Sequence, residues 1–131
     1  MTAAKDFEDV MNRLAAAWSS QDPEAALGCF TQDAVYMEPP DGQLFVGHEQ
    51  LRPFFELPPG TYMTWVGLWF DEATATGAGE FEFGEATDVS VDHGVAIVSI
   101  RDGRIAHWHE YLQRGPKGKD AFLAIDGKAW R

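Results

Sequence analysis

The chain has 131 residues, is 45% hydrophobic and 13% aromatic, and carries a net charge of −11. That length suits one domain, and that much apolar material builds a core and excludes a disordered chain. The 21 acidic against 10 basic residues exclude nucleic acid and anionic membrane as partners, because both would be repelled.

The N-terminal stretch Met1–Leu14 has acids at Asp6, Glu8 and Asp9 and no apolar signal core, and no apolar run approaches a membrane span. A cytoplasmic location is expected on those grounds. The single cysteine, Cys29, excludes an internal disulfide framework and a multi-cysteine metal site. On a short helix it reads as a small buried hydrophobe.

Phe7, Val10, Met11, Leu14, Ala17 and Trp18 recur at helical spacing and predict a helix over about Phe7–Ser19. Asp22-Pro23 reads as an N-cap followed by a first-turn proline, which starts a second helix ending at Cys29 or Phe30. Ala34–Glu38 alternates and stops at Pro39-Pro40, as a strand does, and Asp41-Gly42 is a turn. A third short helix is predicted over His48–Phe55, ended by Pro58-Pro59-Gly60. Strands follow at Tyr62–Asp71, Ala75–Glu85, Val95–Arg101 and Arg104–Gln113, the last two joined by the hairpin signal Asp102-Gly103. Helices first and antiparallel strands afterwards make the class α+β.

Three segments carry a resemblance: Trp18–Asp22 with Phe30–Tyr36, then Gly47–Phe55, then Ile100–Tyr111. Together they resemble the SnoaL-like group of the nuclear-transport-factor-2-like superfamily, whose members include polyketide cyclases, limonene-epoxide hydrolases and ketosteroid isomerases. The resemblance reaches to about Gln113 and implies a single SnoaL-like domain; the chain is therefore expected to form one such domain over residues 1–131, with residues 115–131 as a C-terminal tail packing on it. It implies a cone-shaped, curved, mostly antiparallel mixed sheet wrapped around the N-terminal helices. It also implies a deep pocket for a small hydrophobic organic molecule and a homodimer formed through the sheet.

Four acids are candidates for the chemistry. Glu38, in Val35–Pro39, resembles the general-base segment of the isomerases, and a strand puts Tyr36 and Glu38 on one face. It reads equally as a solvated strand-end carboxylate. Glu110 falls where the epoxide hydrolases carry a catalytic Asp and shares a face with Trp108 and Leu112. An acid between those two is desolvated and fit for acid/base work. The same alignment sets Glu82 at the second epoxide-hydrolase Asp and Glu80 at the Arg that pairs the two acids, so an acid stands where that Arg would be. Glu80 and Glu82 also read as an exposed stripe opposite Phe81 and Phe83. The isomerase oxyanion Tyr and Asp fall near Leu14 and Ala96, both apolar.

His107 and His109 share the strand face opposite Glu110, which suggests the outer sheet surface or a dimer interface, and His48 and His93 read as surface residues. No metal-ligand spacing stands out. Trp18, Trp65, Trp69 and Trp108 are core or pocket residues, with Trp108 the strongest pocket candidate; Trp130 belongs to the tail.

The expected function is a cofactor-independent cyclisation, isomerisation or hydrolysis. Glu38, Glu110 and Glu82 would be the catalytic carboxylates, and Tyr36, Trp108, Trp18, Glu80 and Leu112 the substrate contacts. The alternative is a non-catalytic ligand-binding or dimerisation module of the same fold.

Overall fold

The computed structural model describes residues 2–124. Thr2 caps α1 (Ala3–Ser19), its hydroxyl oxygen accepting the Lys5 amide at 3.1 Å. The six apolar residues that predict this helix are all buried, so its stripe faces the core throughout. Asp22 caps α2 (Pro23–Leu27) by accepting the Ala25 amide, and Pro23 sits where its missing N–H costs nothing. Between them Gln21 takes a left-handed backbone, and its side-chain amide donates to the Trp18 and Thr61 carbonyls. This fastens the helical corner to the sheet.

The strands are β1 (Phe30–Glu38), β2 (Gln43–Val46), β3 (Thr61–Asp71), β4 (Thr76–Glu85), β5 (Ser90–Arg101) and β6 (Arg104–Pro116). A 3₁₀ turn, Pro39–Asp41, joins β1 to β2, and α3 (Gly47–Phe54) follows β2. The sheet order is β2-β1-β6-β5-β4-β3. β1 and β6 run parallel and every other pair antiparallel. The architecture is therefore α+β: a curved mixed sheet of six strands that does not close into a barrel, with the helices against its inner face.

Phe30, Phe81, Ala96, Val98, Ile105 and Trp108 on the sheet and Val10, Met11 and Leu14 of α1 bury almost completely in one cluster. The outer face carries a second apolar row. Register places Leu44 beside Met37, Met37 beside His109, His109 beside Ile97, Ile97 beside Ala78, and Ala78 beside Trp69. That row crosses all six strands, and Leu44, Ile97 and Trp69 in it are exposed.

The structure departs from the sequence reading where tertiary pairing overrides local composition. β5 begins at Ser90 rather than Val95, because the polar run Ser90–Gly94 pairs with Leu112–Pro116 of β6. β2 was not signalled at all; it exists by pairing with β1. The Asp102-Gly103 hairpin forms with positive φ at both residues, as its turn type requires. A short α4 (Lys119–Leu123) brings the Phe122 ring against the outer face. There it stacks on His93 with centroids 4.0 Å apart, at a spot where a Cβ on Gly115 would collide with it. His93 is thus buried in a strand, not a surface turn residue, and its Nε2 contacts the Pro116 carbonyl at 2.7 Å. Trp69 is neither core nor pocket, being 60% exposed on the outer face. Trp130 lies outside the described residues.

Candidate functional site

Strand alternation and one register build the site. β1 and β6 run parallel with Tyr36 directly beside Trp108. Two residues on, Glu38 and Glu110 fall on the same inner face, so four functional side chains converge from two strands. The Tyr36 hydroxyl donates to Oε1 of Glu110 at 2.6 Å, and the Trp108 indole N–H donates to the same oxygen at 3.1 Å. The Tyr36 hydroxyl oxygen also lies 3.4 Å from Oε1 of Glu38, so one phenol stands within reach of both carboxyls.

Both acids are nearly out of water, at 8% exposure for Glu38 and 4% for Glu110. Burial pushes the Glu38 carboxyl up to about 9, and the adjacent Glu110 adds to the rise. Burial raises Glu110 as well, against the opposing pull of donors from Tyr36, Glu38 and Trp108. Burial and the two neighbouring carboxyls hold the Tyr36 phenol well above its usual range. Two neighbouring buried carboxyls cannot both ionise cheaply, so burial and mutual repulsion favour a proton held between the pair. A proton-carrying acid beside a carboxylate is a ready acid/base couple.

The pair opens onto a cavity of about 180 Å³. Trp18, Phe55, Met63, Phe81, Phe83 and Leu112 form apolar walls, and Asp41 and Asp92 bring two further acids to it. Gly94 lets Phe81 and Leu112 of this lining pack closely over β5, since a Cβ there would collide with the Tyr111 carbonyl oxygen and meet the Phe81 ring at 2.9 Å. Among the described residues, no Lys, Arg or His lines the cavity.

Of the residues singled out from sequence, Trp18, Tyr36, Glu38, Trp108, Glu110 and Leu112 line this one cavity. Glu82 and Glu80 do not. They project from the opposite face of β4 to Phe81 and Phe83, as the stripe reading has it, and serve the C-terminal segment. Glu82 accepts from the Tyr62 hydroxyl and from the Gly118 amide, each at 2.7 Å, and Glu80 meets Lys119 at 3.6 Å. Sequence reasoning missed Asp41 and Asp92. Asp92 sits in the polar start of β5; extending the strand backwards with its alternation from Ala96 through Gly94 puts it on the cavity face. Asp41 sits in the turn after β1 and had no signal beyond its nearness to Glu38.

The profile of the SnoaL-like domain family matches residues 11–108. No curated protein matches the chain in sequence. Among solved structures the chain is similar to a protein of unknown function with a cystatin-like fold from Methylobium petroleophilum PM1, at TM-score 0.75, 20% identity, and 100% and 95% coverage of the two chains. It is also similar to a protein with a ketosteroid isomerase-like fold from Catenulispora acidiphila, in complex with trimethylamine, at TM-score 0.67, 17% identity, and 90% and 92% coverage. A third similar structure is an epoxide hydrolase of limonene-epoxide-hydrolase type from M. tuberculosis, at TM-score 0.69, 14% identity, and 83% and 84% coverage.

Proposed function

The chain belongs to the SnoaL-like domain family, and from that premise we propose that it is a cofactor-independent enzyme of proton transfer acting on a small organic substrate. Glu38, protonated at neutral pH, is the acid. Glu110, fixed by two hydrogen bonds, is the base. Tyr36 and Trp108 position Glu110, and the Trp18, Phe55, Phe81 and Leu112 walls hold the apolar part of the substrate.

The observation that carries this reading is the placement of two buried carboxyls, both within reach of the Tyr36 hydroxyl, on the wall of an aromatic cavity. Such a couple suits cyclisation, double-bond isomerisation or addition of water, where one proton leaves carbon or water as another arrives at oxygen. Glu82 is left out of the chemistry, because its two oxygens are occupied on the other face of the sheet. A substrate panel of small ketones and epoxides tests the reading, as does exchange of α-carbon hydrogens for deuterium followed by NMR. Glu110→Gln should lower the rate by about 100-fold or more, the usual contribution of a positioned acid or base. A change below about tenfold would remove Glu110 from the mechanism.

A second reading, a ligand-binding module without catalysis, is favoured by the lack, among the described residues, of a basic lining side chain to steady a developing oxyanion. The apolar row across the outer sheet face supports a homodimer joined through that face, whichever reading holds.

A further inference from the structure

We propose that the molecule this cavity takes carries a positively charged nitrogen, a small alkylammonium group seated between the aromatic walls and the Glu38–Glu110 pair. The proposal rests on the cavity being the functional site and names the class of its ligand.

Charge comes first. Four acids line the cavity, Glu38, Asp41, Asp92 and Glu110, and among the described residues no lining side chain offers a compensating positive charge. Arg114 reaches Asp92 at 3.3 Å from its exposed position outside the lining, which answers one acid in part and leaves the buried pair untouched. A neutral hydrocarbon would desolvate these acids further and return nothing. An ammonium ion supplies the missing charge.

The walls are suited to the same guest. Seven lining side chains are aromatic, and ring faces attract a cation through their negative quadrupole, most strongly for Trp and when water is excluded. Tyr36 and Trp108 stack with planes 8° apart, and Trp18 meets Trp108 edge to face at 5.6 Å. The donor inventory points the same way. The Tyr36 hydroxyl and the Trp108 N–H are already committed to Glu110, leaving the unpartnered Trp18 N–H as the one free indole donor on the walls among the described residues. An anionic group would find little to hold it. A cavity of about 180 Å³ accommodates a trimethylammonium group with a short polar chain. Binding such an ion favours the charged form of the acids, so it should expel the proton the pair holds at neutral pH.

The test uses choline, tetramethylammonium and the uncharged carbon isostere of choline, 3,3-dimethylbutan-1-ol. Binding is followed by calorimetry in two buffers of different ionisation enthalpy, with sodium at matched ionic strength. Choline should bind at least about tenfold more tightly than its isostere, with proton release to buffer. The preference should fall below about threefold in the Glu38→Gln/Glu110→Gln variant as the attracting charge goes, and should persist in Glu72→Gln, an exposed acid remote from the cavity. Equal binding of the two compounds, binding of neither, or a preference that survives loss of both acids overturns the proposal. If the double variant does not fold, the wild-type ratio decides alone. The acid/base reading is judged separately, by the titration of the two carboxyls, which needs no ammonium ligand.

Discussion

Tyr36 and Trp108 lie face to face across the only parallel strand pair among the described residues, 5.4 Å between ring centroids, and both donate to the same oxygen of Glu110. One register thus creates the stack and aims the carboxylate. The arrangement makes a clear demand on Glu110. Glu110→Ala strands two buried donors and opens a void, and should cost about 3 kcal/mol. Glu110→Gln keeps an acceptor oxygen and should cost much less. Thermal unfolding of the two variants measures the difference, and equal losses would mean the two hydrogen bonds contribute little.

The raised Glu38 value fixes the direction of a pH dependence. The folded chain holds on Glu38 a proton that the unfolded chain loses above about 4.5, until pH passes about 9. Stability from this group is therefore full below the unfolded value and declines as pH rises across that window. Glu38→Gln cannot ionise, so its unfolding temperature should gain on the wild type steadily from acid to alkaline pH. A constant difference between the two would contradict the raised value.

Glu82 and Phe122 hold α4 on the outer face, and neither lines the cavity. Phe122→Ala should speed amide exchange at Gly118 and through α4 while leaving proton-transfer activity within about threefold, since remote surface contacts do not reach the reacting atoms. A loss approaching that expected for Glu110→Gln would tie the C-terminal segment to the chemistry.

The proposed dimer has a simple probe. Ile97 lies mid-row, flanked by His109 and Ala78, and is 37% exposed. Ile97→Lys sets a charge at the centre of the apolar row and should convert a dimer to a monomer in sedimentation analysis. A wild type that sediments as a monomer at micromolar concentration refutes this use of the face.

Local pattern announced the parts of the fold that depend on local rules. The α1 stripe, the Asp22-Pro23 start and the Asp102-Gly103 hairpin all appear where spacing and turn chemistry put them. β2 and the first half of β5 were not legible, because they are strands only by virtue of their partners. The same limit governs the site. Period-two alternation paired Tyr36 with Glu38 and Trp108 with Glu110, but only the parallel register brings one pair to the other. Glu82 shows the converse. Alternation set it opposite Phe81 and Phe83, and its partners, Tyr62 and Gly118, lie 20 and 36 residues away in the chain.

The central claim is that Glu38 and Glu110 share a proton. NMR titration of the side-chain carboxyl carbons, with Glu38→Gln and Glu110→Gln to assign them, tests it most directly. The account predicts two linked transitions for the pair, the upper one well above neutrality, and a return of Glu38 toward ordinary values when Glu110 is neutral and withdraws its charge. Two independent transitions near 4.5, the ordinary glutamate value, would contradict it.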